Sequence, residues 1–364
     1  MKVVFRVDAS FQIGTGHVMR CLTLADALRD IGADCVFISC DYDGNLNEYI
    51  RQRHYKVIEL FTRDVGGLGY EYGDLDHSSW LVWSQEEDAE RSLVIINELS
   101  CDILIVDHYA LDYRWEQTLR SGCDKVFVID DLADRIHDCV MLLDQNWFED
   151  HLSERYKDLV PRDTELLLGP KYALLKPEYS CLHEIMPKRD GSVRRLLIFM
   201  GGADPGDETS KVVSSLTTLG LENLLIDVIL GVNHPNPFNV IQLASRHKNI
   251  LVHNQQSTLA GWMMRADLMI SGGGATSWER MCLGLPAIVI SIAVNQTKTN
   301  QALMKSGYID FLGEYKKVSS EMIFNAVQRC IADPNRLKCM SQKAMRLVDG
   351  LGAVLVANKL LNLR

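Results

Sequence analysis

Apolar positions run in short unbroken blocks along this chain, and between the blocks they recur at every third or fourth residue. The blocks are KVVFRVD (2–8), CVFIS (35–39), CDILIVD (101–107), KVFVID (125–130) and CVMLLD (139–144). A second series follows: RRLLIFM (194–200), LLIDVIL (224–230), NILVH (249–253), DLMIS (267–271) and PAIVIS (286–291). Continuous apolar blocks predict strands buried on both faces, as in parallel sheets covered by helices. Helices are predicted between them, among them one from about 17 to 31, one over 89–99 and one over YRWEQTLRSG (113–122), and the segment 319–364 predicts helices only. The core pattern lapses at 183–192, where charge, proline and glycine gather, so the linker is expected there. The polar stretch 63–88, with VGGLGY and DHSSW, breaks the rhythm and predicts a long functional loop. The expected fold class is therefore α/β, in two similar halves.

A length of 364 residues suits two domains, and 47% hydrophobic residues suits real cores. No apolar run approaches the roughly eighteen residues of a membrane span. The start, MKVVFRVDAS, reads as a first strand rather than a signal peptide. A formal charge of −10 argues against a general nucleic-acid binder. The ten cysteines (21, 35, 40, 101, 123, 139, 181, 282, 330 and 339) form no C-x-x-C pair. They are expected to be buried thiols in a reducing cytosol, with no bound metal.

Three glycine turns lie between a strand and a helix start: DASFQIGTGH after the first strand, MGGADPGD (200–207) and GGGATSWE (272–279). Free N–H groups at a helix N-terminus suit phosphate oxygens, and glycine admits a ligand close to the backbone. One such turn is a common steric device; three at strand ends point to a nucleotide diphosphate. None matches the P-loop pattern G-x-x-x-x-G-K-[ST]. The turn at Gly14 and Gly16 lacks the dinucleotide spacing, and Asp41 falls too far along to be its acidic partner.

Two residues admit both a structural and a chemical role. Thr276 and Glu279 have the spacing of a capping box, yet a carboxylate there could also accept from a ribose diol. His17, in the first helical turn, could simply pack there. The positive helix end disfavours imidazolium, however, and a neutral ring is what a general base requires. Arg20 lies on the same helix face as His17 and could hold an anion or be a solvated surface residue.

RVDASFQIGTGHVMRCLTLADAL, IVDHYALD, IDDLADR, LLGPKYALLKPEY, IFMGGADPGD and ISGGGATSWERMCLGLPAIVI occur in this order. In these motifs the chain, from about 1 to 330, resembles the UDP-sugar hydrolases of pseudaminic acid biosynthesis. Those enzymes act on UDP-2,4-diacetamido-2,4,6-trideoxy-β-L-altropyranose. The GGGATSWE…GLPAIV segment is also similar to the donor-binding segment of MurG and other GT-B enzymes. The resemblance implies a GT-B fold, two Rossmann-like domains with parallel sheets facing across a cleft. These would span 1–185 and 193–345, with a C-terminal helix in 346–364 able to return to the first. It implies cleavage of the anomeric C–O bond by water with inversion, without metal or cofactor, and His17 as the base. Gly201, Gly202, Gly273, Gly274, Ala275 and Thr276 would line the diphosphate, Glu279 would bind ribose, and Asn254 would lie at the uracil. Asp8, Gly14, Gly16, Arg20, Asp107, His108, Tyr109, Asp130 and Asn146 would face the sugar. Asp8 and Asp107, each ending a strand, could instead cap helices or position His17. The expected partner is a small-molecule UDP-sugar, with no nucleic acid and no stable membrane association, for a cytoplasmic monomer. A glycosyltransferase sharing the donor site and a UDP-sugar sensor are the alternatives. The acidic charge weighs against the first, and a neutral histidine at a helix mouth against the second.

Overall fold

The computed structural model describes residues 1–61, 74–149, 154–202, 204–217, 223–254 and 256–363. The part of the expected 63–88 loop up to residue 73 lies outside them. The chain forms two units. The first comprises Met1–Asn146, Asp150–Leu174 and Leu351–Arg364, and the second Trp147–Glu149 and Leu175–Gly350.

The first unit carries a seven-stranded sheet in the order β3-β2-β1-β4-β5-β6-β7. Its strands are β1 (Lys2–Val7), β2 (Asp34–Cys40), β3 (Lys56–Leu60), β4 (Ile103–Asp107), β5 (Val126–Ile129), β6 (Met141–Asp144) and β7 (Glu165–Leu168). All neighbours are parallel, with Phe5 paired to Phe37 on one side and Ile105 on the other. Burial on both faces explains why β1, β4 and β5 are apolar almost throughout. The helix Gly16–Asp30 follows β1 and buries Val18, Cys21, Leu22, Leu24, Ala25 and Leu28. In the same core lie Ala353, Val356, Ala357 and Leu360 of the helix Gly352–Leu361. A Cβ on Gly352 would stand 2.3 Å from the Ala173 carbonyl oxygen, so that helix begins hard against the backbone.

The second unit has six parallel strands in the order β10-β9-β8-β11-β12-β13. These are β8 (Arg195–Phe199), β9 (Leu225–Ile229), β10 (Ile250–His253), β11 (Leu268–Gly272), β12 (Ala287–Ser291) and β13 (Asp310–Glu314). Each sheet reverses its winding beside its first strand, which places ligand crevices at the strands' carboxyl ends. The helix Pro177–Ile185 belongs to this unit, where Tyr179 is fully buried, so the division falls at 174/175. No helix among the described residues is long and apolar enough to cross a membrane. All ten cysteines are free thiols; Cys181 and Cys339 are exposed rather than buried.

Candidate functional site

After β1 the chain turns tightly. Gly14 donates its N–H to the Ser10 carbonyl at 2.8 Å, and the Ser10 hydroxyl accepts from the N–H groups of Gln12 and Ile13. Gly14 has φ +81°, a conformation glycine adopts without strain. This turn starts the helix Gly16–Asp30 and puts His17 in its first turn, at the carboxyl end of the sheet.

His17 meets the end of β4 there. Its Nδ1 lies 2.6 Å from Asp107 Oδ1, and Arg20 forks onto the same carboxylate, with Nε 2.6 Å from Oδ2 and Nη2 2.6 Å from Oδ1. Burial works to raise the Asp107 pKa, but Arg20 and then His17 outweigh it and hold the carboxyl well below the usual range. An ionised Asp107 only accepts, so neutral His17 carries its proton on Nδ1 and turns the lone pair of Nε2 outward. Nε2 has no hydrogen-bond partner among the described residues, and His17 keeps 8% of its surface open. Such a histidine can take a proton from water, its orientation fixed from behind by a carboxylate.

Around the ring lies an aromatic wall. Tyr109 packs edge-on at 4.6 Å and Trp80 at 5.7 Å, centroid to centroid, and Trp80 stacks on Tyr109 at 5.2 Å. His77 adjoins both Trp80 and Tyr109, and burial lowers its pKa. Trp80 also lines a cavity of about 270 Å³ together with Ser10, Phe11, Gln12, Tyr42 and Ser79. The Tyr109 hydroxyl donates to Asp131 Oδ2 at 2.6 Å. Trp80, His77 and Asp131 were not among the expected site residues. The signals for them were the DHSSW motif and the second aspartate of IDDLADR.

Three residues expected at the sugar stand behind this site instead. Asp8 is fully buried, 2.8 Å from Arg6 Nη1, accepting the Cys40 N–H at 2.7 Å and 3.3 Å from His108 Nε2. His108 accepts the Ala110 N–H on Nδ1, which leaves Nε2 as the donor toward Asp8. Asp130 is fully buried, accepting from Arg135, the Ala133 N–H and the Tyr156 hydroxyl. All three are buried within the fold, although Asp8 Oδ2 and His108 Nε2 complete no hydrogen bond, and Asp8 neither caps a helix nor touches His17. Asn146 bridges, its Nδ2 donating to Asp131 Oδ1 at 2.8 Å and Asp144 Oδ1 at 2.9 Å. Gly14 sits in the turn, and Gly16 is exposed at the helix start.

In the second unit Gly201 and Gly202 follow β8, and Gly273 follows β11, its neighbour in the sheet. Gly201 has φ +104°. A Cβ on Gly231, which follows β9, would stand 2.3 Å from the carbonyl oxygens of both Gly201 and Gly202, so two loops close on one another there. Gly273 donates its N–H to Gln296 Oε1, while Gly274 and Ala275 are exposed. The helix Thr276–Cys282 starts after Ala275 with no side-chain cap, so Thr276 and Glu279 form no capping box. Burial pushes the Glu279 carboxyl up to about 7, against a hydrogen bond from Tyr179 and the charge of Lys176. Asn254, exposed, follows β10, two strands from β8.

Asp204, Asp207 and His234 form the one trio of metal-ligand type among the described residues. His234 Nδ1 accepts the Asn236 N–H, so Nε2 carries the proton and points it at carboxylate oxygens 3.5 and 3.6 Å away. Asp204 already accepts from the N–H groups of Glu208 and Thr209. The trio lies at a helix start where Asp204 is occupied by backbone N–H groups, and in this tautomer His234 Nε2, which completes no hydrogen bond, has no lone pair to offer a cation.

Two parallel-sheet α/β units wound in this order, with loops gathered at the strand ends, make the GT-B fold. MurG from Acinetobacter baumannii has it with a TM-score of 0.69 over 99% of both chains, at 14% identity. Residues 196–353 match the model of the glycosyltransferase family 28 C-terminal domain. The UDP-2,4-diacetamido-2,4,6-trideoxy-β-L-altropyranose hydrolase of Campylobacter jejuni is 27% identical over 85% of this chain and 98% of its own. An uncharacterised protein of Methanocaldococcus jannaschii is 23% identical over 88% of this chain, which spans only 59% of that relative's length.

Proposed function

We propose that the protein hydrolyses UDP-2,4-diacetamido-2,4,6-trideoxy-β-L-altropyranose, releasing UDP and 2,4-diacetamido-2,4,6-trideoxy-L-altrose with inversion. The observation that carries this reading is His17, bound through Nδ1 to ionised Asp107 with Nε2 left to accept. Similarity to the Campylobacter hydrolase along nearly all of that enzyme supports it. In the reaction, water gives a proton to His17 Nε2 as its oxygen attacks the anomeric carbon. The C–O bond breaks with its electron pair going to the departing diphosphate, and the imidazolium passes its proton to solvent. Asp107 steadies the charge that forms on the ring. The second unit takes the nucleotide: Gly201, Gly202, Gly273, Gly274, Ala275 and Thr276 at the diphosphate, Glu279 at the ribose and Asn254 at the base. Backbone N–H groups meet the charge growing on the leaving group.

A second reading, a glycosyltransferase using a UDP-sugar donor, is favoured by the family 28 match over 196–353. NMR of the protein with the UDP-sugar in water separates the two. Free sugar of inverted anomeric configuration appearing in step with UDP supports hydrolysis. UDP released only after an acceptor is added supports transfer.

A further inference from the structure

The structure assigns to Asp131 the positioning of His17: one carboxylate holds both Tyr109, whose ring packs against the imidazole, and Arg20, which shares Asp107 with it. This inference rests on the reading of His17 as the base. Sheet order is what makes it possible, because the carboxyl ends of β1, β4, β5 and β6 are successive neighbours once β2 and β3 have been added on the far side. His17 and Arg20 come from the helix after β1, Asp107 and Tyr109 from the end of β4, Asp131 from just beyond β5, and Asp144 and Asn146 from the end of β6.

Asp131 Oδ2 accepts from the Tyr109 hydroxyl at 2.6 Å and from Arg20 Nη1 at 2.5 Å. Its Oδ1 accepts from Asn146 Nδ2 at 2.8 Å. Arg155 grips the Asp131 carbonyl oxygen through Nη2 and Asp144 Oδ2 through Nε at 2.7 Å. Donors thus occupy both carboxylate oxygens, so this side chain is a support rather than a contact for sugar. The Asp131 and Arg20 side chains are only 15% and 10% exposed, so the pairing is weakly screened.

The two contacts act on His17 differently. The hydroxyl bond fixes the plane of Tyr109, and with it the edge-on wall at 4.6 Å. The guanidinium bridge fixes Arg20, whose Nη2 shares Asp107 Oδ1 with His17 Nδ1. Replacing Asp131 by asparagine keeps an acceptor for Tyr109 and removes the charge that anchors Arg20.

The test is Asp131→Asn in the full chain. Turnover is expected to fall about 10- to 100-fold, the loss usual when the outer support of a functional imidazole is removed. UDP affinity is expected to stay unchanged. The downfield Nδ1–H proton signal of His17, assigned by its absence in His17→Asn, is expected to shift. Unchanged turnover, or a signal at the parent position, overturns the inference. Should Asp131→Asn fail to fold, Tyr109→Phe removes only the hydroxyl that Asp131 holds, and a parental His17 signal in that variant overturns it equally. The proton signal needs no substrate, so a shifted signal in a protein without hydrolase activity would overturn the hydrolysis reading and leave Asp131's role standing.

Discussion

Changing Glu279 to glutamine is expected to stabilise the ligand-free protein in mildly alkaline buffer and to leave it unaltered in acid. Burial pushes this carboxyl from its ordinary 4.5 up to about 7, with Tyr179 and Lys176 pulling the other way. Between those two values the folded protein holds a proton that the unfolded chain has already released. Unfolding free energy therefore falls as pH rises through that window, and the loss is complete above about 7. A shift of this size corresponds to about 3 kcal/mol at ~1.4 kcal/mol per unit, and to about 1–2 kcal/mol once partial exposure of the side chain is allowed for. Glutamine cannot ionise, so the variant escapes the penalty. Urea unfolding of parent and variant, at about pH 4 and about pH 8.5, measures the difference. The same substitution removes the charged acceptor proposed for the ribose diol, so UDP affinity at the higher pH is expected to fall by about 10- to 100-fold, one to two charge-assisted hydrogen bonds. A gain of equal size at both pH values, or a variant less stable than the parent at pH 8.5, would refute the linkage.

Other substitutions separate the two units. His17→Ala is expected to keep the fold and UDP affinity while turnover drops ~10²–10⁴-fold; an active variant would remove the proposed base. Asp107→Asn leaves Arg20 with one carboxylate and His17 with a neutral partner, so stability is expected to fall by about 3 kcal/mol along with turnover, as denaturant titration and rate measurement would show. Gly231→Ala drives a methyl group into the Gly201 and Gly202 carbonyls and is expected to weaken UDP binding in calorimetry without changing the His17 proton signal; parental UDP affinity would show that this loop is not needed.

The central strands announce themselves because both their faces are covered: β1, β4, β8 and β11 are apolar almost throughout. The strands that the apolar pattern passes over, β3, β7 and β13, all lie at sheet edges. There the run is mixed, as in KVIEL and DFLGE, and β13 adds a register shift next to Gly313. Edge positions tolerate polar side chains, so they lose the signature. The helix expected over 89–99 begins at Gln85, because Ser84 caps the Glu87 N–H and three acidic residues fill the first turn. In the sequence, residue type and position drew attention to His17, while Arg20 was equally readable as a surface arginine and Asp107 came in through the family resemblance; the fold brings the three together. Which aspartate meets which partner was not legible: Asp8 and Asp130 look as functional as Asp107 and Asp131 in the chain, and only packing sends the first pair inward. Glu279 shows the same limit, since its spacing from Thr276 suits a cap that the backbone does not form.

The helix Gly352–Leu361 seals the rear of the helix that carries His17, and it is made only after the entire second unit has been synthesised. On the ribosome the N-terminal residues therefore emerge long before their core can close, with the Val18, Cys21, Leu22 and Leu28 stripe missing its last cover. A nascent chain halted at residue 350 would hold the whole second unit and still have a loosely seated imidazole. Firm seating of residue 17 therefore waits on residues 352–361, and a substitution that loosens their packing would be felt on the opposite side of the sheet-bound helix.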